Sequence, residues 1–291
     1  MKKSLRPFLA AAVLAVAAVG SAAPAMAADP TGDYAQFKHC PYTNPAVASC
    51  VYSVTDSGSF TLGNATVPIT SATPIVLQGG IPDAASGSTT FYDAVGADTL
   101  SKTKLKVPGG LLGLVDTGGL GGALITLFNN AVAAENDVYA TAELVGPVTF
   151  DLNSVFAESG TAVALPIRVH LENPFLGSSC YVGSTSNPVS LHLTTGTTSP
   201  PGPNTPISGT AGSITFNDDF TISTAAGIKL VDNAFAAPAA SNCGITFLDR
   251  LLVTPAVNLK EGLPAAAGKN TAIQQGTTKL GGKAAVVASI P

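Results

Sequence analysis

Ala162-Val163-Ala164-Leu165-Pro166-Ile167-Arg168-Val169-His170-Leu171-Glu172 is the stretch that decides the fold. Val163, Leu165, Ile167, Val169 and Leu171 take every second position, with Pro166, Arg168 and His170 between them. Successive side chains of a strand point to opposite faces, so a period of two means a strand with one apolar and one polar face. Pro166 has no N–H to give to a ladder, which places the strand at a sheet edge or a bulge. Asn173-Pro174 ends it.

The same signal recurs in both directions. Toward the N-terminus, Val51–Thr55, Ser59–Leu62, Ala65–Ile69, Pro74–Gln78, Leu105 with Val107, Val138–Val145 and Pro147–Leu152 read as short strands separated by Gly, Asn and Pro turns. Toward the C-terminus the strands are Cys180–Val182, Val189–Leu193, Ser213–Phe216 and Phe220–Ile222. Many short strands with regular turn signals predict a mainly β chain, an antiparallel β-sandwich or barrel with one or two short helices. Strands do not alternate with long helices, so a doubly wound α/β fold is excluded. There is no internal repeat.

Two segments are too apolar for half-buried strands. In 111–135, Ala123 to Glu135 is free of Gly and Pro and predicts a helix of about three turns. Its lack of a basic face favours a helix plugging the sheet over a membrane-active hairpin. The second segment, Ile245 to Val253, is helical in pattern. If the two line a pocket, Leu124, Leu127 and Phe128 are its candidate wall. Residues 262–291 are Gly/Ala-rich and are set apart as a C-terminal segment. The β domain is then 28–261, and any division into two subdomains falls near 137–150.

Residues 1–27 read as a secretory signal peptide. Lys2, Lys3 and Arg6 precede an uncharged apolar run from Phe8 to Val19, and Ala25-Met26-Ala27 is an A-x-A cleavage site. The run is too short for a transmembrane helix. No cysteine follows the cleavage site and Arg6 stands alone, which argues against a lipoprotein or twin-arginine signal. The expected location is extracellular or cell wall, through a Sec-type signal, with no transmembrane anchor in the mature chain. The leader carries three of the 14 basic residues and no acid, so 18 acids face 11 bases beyond it, about −7. That balance argues against nucleic acid and against an anionic membrane surface as partners.

Cys40, Cys50, Cys180 and Cys243 are the four cysteines. Outside the cytoplasm they are expected to pair. Cys40–Cys50 closes a short loop through Pro41 and Pro45, which leaves Cys180–Cys243. Zinc modules use closely spaced pairs, whereas the nearest spacing here is C-x9-C, so disulfides are preferred to a metal site.

The search for chemistry finds no nucleophile elbow, Walker A loop, H-E-x-x-H or EF-hand. Ser101-Lys102-Thr103-Lys104 fits S-x-x-K, but its partner motifs are missing. His39 reads as an exposed loop residue. His170 and His192 on neighbouring strands, with Glu172, would give a two-histidine-one-carboxylate metal site if they converged. Polar residues on the exposed face of a strand explain the same letters. Asn217-Asp218-Asp219 reads as a turn, not a calcium loop. No cofactor is expected.

Three stretches carry a resemblance: His170 to Ser184 (HLENPFLGSSCYVGS), Leu193 to Thr198 (LTTGTT) and Gly262 to Ala272 (GLPAAAGKNTA). Together they resemble a group of secreted actinobacterial proteins of unknown function, over roughly residues 139–280. The resemblance implies an actinobacterial source and a secreted location. It supplies no activity, cofactor or site residue. The first functional reading is a secreted or envelope-associated β protein with a non-catalytic interaction or structural role. The alternative is an extracellular carrier of an apolar or lipid ligand, and an enzyme comes third. Whether the two apolar segments pack shut or enclose a cavity separates the first two readings.

Overall fold

In the computed structural model, which describes residues 28–291, Val163–Glu172 is a strand that alternates buried and half-buried residues along its whole length. The signal-peptide reading of 1–27 lies outside the described residues. In chain order the strands are β1 (Ser49–Leu62), β2 (Ala65–Ile69), β3 (Ile75–Ile81), β4 (Tyr92–Asp93), β5 (Lys104–Lys106), β6 (Tyr139–Leu144), β7 (Thr149–Phe150), β8 (Val163–Glu172), β9 (Tyr181–Val182), β10 (Val189–Leu193), β11 (Ser213–Phe216), β12 (Ile222–Asp232), β13 (Ala240–Ser241) and β14 (Thr271–Gly282). The α-helices are α1 (Gly110–Leu114), α2 (Gly122–Ala134), α3 (Leu152–Ala157), α4 (Phe247–Glu261) and α5 (Lys283–Ala288).

The strands form two antiparallel seven-stranded sheets. The first runs β11-β12-β14-β1-β3-β4, with β2 also on β1. The second runs β13-β9-β8-β6-β5, with β10 and β7 also on β8. Each is organised around one long strand, β1 or β8, that serves two successive short strands along one edge. The apolar faces meet in one core, with Val51, Leu62, Leu77 and Leu230 from the first sheet and Val163 to Leu171 from the second. The result is the sandwich-like arrangement, mainly β with few short helices and two disulfides.

The structure corrects the expected edge position of Pro166. β8 is interior, paired with β6 and β7 on one side and with β10 and β9 on the other. The Val145 N–H donates to the Pro166 carbonyl, so the imide nitrogen of Pro166 faces that same side. There β6 has ended at Leu144 and β7 has not begun until Thr149. The missing donor falls in the gap between two partners, and no ladder bond is lost.

The C-terminal stretch also differs from its reading. The chain does not separate at 262, because β14 lies in the middle of the first sheet between β1 and β12. Its small residues have a structural reason. Both neighbours slip register opposite Gly276, where a Cβ would lie 1.9 Å from the Val54 carbonyl oxygen. A side chain is excluded where two bulges meet.

Both disulfides pair as expected, Cys40–Cys50 and Cys180–Cys243. The first sits in a small separate core with Phe37, Val47, Ile222 and Val286. The second joins the start of β9 to the segment that leads into α4.

Candidate functional site

Helix α4 begins with a capping box, in which the Thr246 hydroxyl accepts from the Asp249 N–H and the Asp249 carboxylate accepts from the Thr246 N–H. It ends at Gly262 in the left-handed conformation (φ 63°). Asn258 fixes its position by exchanging two hydrogen bonds with the Ala240 backbone. Thr254 does the same with Cys243. Its inward face carries Val253, Ala256, Val257 and Glu261, all buried. Its outward face carries Phe247, Leu248, Leu251, Leu252 and Leu259, all exposed.

Beneath the C-terminal half of α4 the two sheets do not close completely. They leave a void of about 80 Å³. Phe60, Val67 and Ile75 line it from the first sheet, and Ala142, Val169 and Leu191 from the second, with Leu114 and Val257 at the helical end. Among the described residues, Glu261 and Gln274 are the only polar ones in the wall of this void. Two smaller voids of about 20 Å³ each continue the space along the sandwich. The first of them shares Ile75, Leu100, Leu165 and Gln274 with the main void. The interior is therefore an elongated, interrupted slot.

Glu261 is 4% exposed. Its backbone is clamped by the turn between β1 and β2. The Asn64 N–H donates to the Glu261 carbonyl, and Gly63 lies so close that a Cβ there would meet that oxygen at 2.0 Å. The carboxylate accepts no hydrogen bond among the described residues. Burial pushes its pKa up to about 7, and Lys260 only partly offsets this. Glu261 is thus a buried carboxylate fixed through its backbone. The buried polar atoms left without a hydrogen bond among the described residues are His170 Nε2, on the outer face of the second sheet, and Asn233 Oδ1.

The outer face of the second sheet is a contrasting second candidate. Arg168 donates two hydrogen bonds to one oxygen of Glu143. Lys104 and Thr141 donate to Glu172. Burial alone would raise the Glu172 carboxyl, but these hydrogen bonds outweigh it and hold the carboxyl below its ordinary value. The His170 ring stacks on Tyr181 at 4.4 Å, and the Arg168 guanidinium lies 4.1 Å from the same ring centroid. The cleft beside them, lined by Lys104, Tyr139, His170 and Glu172, is open. Lys104 and Glu172 there are already paired with each other, while His170 Nε2 is buried without a hydrogen-bond partner among the described residues.

The residues singled out from sequence are distributed as follows. His170 Nδ1 is 4.0 Å from Glu172, but His192 does not join them. His192 pairs with Ala164, six residues along β8 from His170, roughly 20 Å away at strand spacing. It borders a different cavity, with Asp232. The three do not converge, and no group of three or more His, Cys, Asp and Glu among the described residues is placed to hold a metal. Ser101 of the S-x-x-K match donates or accepts only in structural bonds, to the Val76 N–H and Thr103. Asn217 caps the turn before Ile222.

Leu124, Leu127 and Phe128 do not line the void. Leu124 and Phe128 are buried in α2, where Phe128 meets Phe175 edge-on at 5.4 Å, and Leu127 faces outward. The helix packs shut, and the cavity lies instead beneath the other apolar segment. Comparison with protein families, curated proteins and solved structures finds no match for this chain. No helix among the described residues is long and apolar enough to cross a membrane.

Glu261 escaped the sequence reading, which closed the apolar segment at Val253. The signal was there: Val253, Val257 and Glu261 are four residues apart and share a helix face. Extending the helix to Gly262 would have put the carboxylate inside.

Proposed function

We propose that this chain acts outside the cytoplasm as a non-catalytic binding protein that carries an apolar ligand between its two sheets. One observation carries the reading: an apolar slot between the sheets, capped by α4, that the protein leaves unfilled. At about 24 cal/mol per Å³, a void of this size forgoes about 2 kcal/mol relative to a filled core. That is a large concession in a domain whose net stability is about 5–15 kcal/mol. The void is roughly half of an apolar cavity of about 150 Å³ that accepts benzene. A longer ligand therefore enters by using the smaller voids in line with it. The two disulfides fit an oxidising compartment.

The test is titration of the purified protein with N-phenyl-1-naphthylamine, whose fluorescence rises in apolar surroundings. Saturable uptake of one probe per chain is expected. Ala142→Leu, which extends a side chain into the void, is expected to reduce it at least about tenfold. Absence of saturable uptake by the unaltered protein would overturn the carrier reading. Contact between the outward apolar row of α4 and an envelope component would then be the reading left.

A further inference from the structure

The carrier reading leaves open which apolar molecule is held, and the chemistry of the slot narrows it. The wall of the main void is apolar except at two places, and the next void adds the hydroxyls of Ser53, Thr55 and Thr278. Gln274 lies midway, bordering both the main void and the next. Glu261 lies at the α4 end, where its carboxylate accepts no hydrogen bond among the described residues and the neighbouring Lys260 only partly offsets its burial. The apolar surroundings make an unpaired acceptor costly and a paired one strong. The position is also rigid, because the Gly63–Asn64 turn and the helix cap fix the Glu261 backbone on both sides.

We propose that the slot takes a linear amphiphile whose polar end donates a hydrogen bond, an alcohol or an ammonium, seated on the Glu261 carboxylate with its chain running past Gln274. This rests on the carrier reading and specifies the ligand class of the same site. Two features set the class. The three voids lie end to end and share walls, which suits an unbranched chain. The one buried end group is an acceptor when ionised, which disfavours a carboxylate or phosphate head by like-charge repulsion in a low dielectric.

The protein's negative charge attracts any ammonium, so the alcohol arm is the informative one. The experiment is displacement of N-phenyl-1-naphthylamine at pH 8 by 1-decanol, decylamine and decanoate. It is run on the unaltered protein, on Glu261→Gln and on Glu135→Gln, which removes one exposed acid outside the slot. Decanol and decylamine are expected to bind about tenfold or more tightly than decanoate, the size of one charge-assisted hydrogen bond. Glu261→Gln should cut that preference to less than about threefold, while Glu135→Gln leaves it intact. Equal displacement by all three ligands in the unaltered protein would overturn the head-group proposal and leave the carrier reading standing. So would a preference unchanged by Glu261→Gln. Failure of the probe itself to bind would remove both.

Discussion

On the outer face of the second sheet, Glu172 receives hydrogen bonds from Lys104 and Thr141, and Glu143 beside it holds Arg168. Across the sheet, in the interior, Glu261 receives none among the described residues and is more deeply buried. The outer carboxyl is held below its ordinary value and the inner one above it. The chain can compensate a carboxylate where water is close and the need is small. It leaves Glu261, the more buried of the two, with only Lys260 to offset its burial. On the carrier proposal, the partner of Glu261 arrives from outside the chain and occupies the apolar slot beside it.

The two carboxyls respond to pH in opposite directions. Glu261 titrates near 7 in the folded chain and near 4.5 unfolded. Between those values the folded state binds more protons, so stability falls as pH rises, and the loss is complete above pH 7. The full effect is about 3 kcal/mol. Glu261→Gln is therefore expected to stabilise the unliganded protein by up to that amount at pH 8. It should also flatten the decline of the urea midpoint between pH 5 and 8. A variant no more stable than the parent at pH 8 would mean that Glu261 already has a partner. Glu172 has the opposite sign. Its stabilisation is present above its unfolded value and is lost as pH falls through the lower folded one.

A smaller effect belongs to the outer face. Arg168→Met leaves Glu143 without its cation and removes the guanidinium from Tyr181. For a half-exposed pair this costs about 1–2 kcal/mol by urea denaturation. Probe uptake should not change, since neither residue lines the slot. A loss of uptake in this variant would mean that the two faces are coupled, and the contrast between them would fail.

Most of the architecture was legible in the sequence, because the period of two is a direct record of a strand with one buried face. The disulfide pairs were legible from spacing. Two features were not. Pro166 looked like an edge signal, because a sequence does not show that the partner strand is broken opposite it. The Gly/Ala-rich stretch at 262–291 looked peripheral, yet small residues are what a crowded central strand needs where two bulges meet at Gly276. The site was harder still. In sequence, the apolar segments 111–132 and 245–253 look equally suited to line a pocket. Only packing decides that Phe128 finds Phe175 and closes one, while the inward face of α4 meets a gap between sheets. Hydrophobic density reports burial and carries no information about void.

The most direct measurement is native mass spectrometry of the protein secreted into the medium by a bacterial host and purified without organic solvent. The account expects one small-molecule adduct per chain, released by organic extraction, apolar in its body and ending in a hydroxyl or amine. It expects the adduct to be absent from Ala142→Leu. A parent chain that carries only its two disulfides and no adduct, and that afterwards takes up none of the decyl ligands, would contradict it.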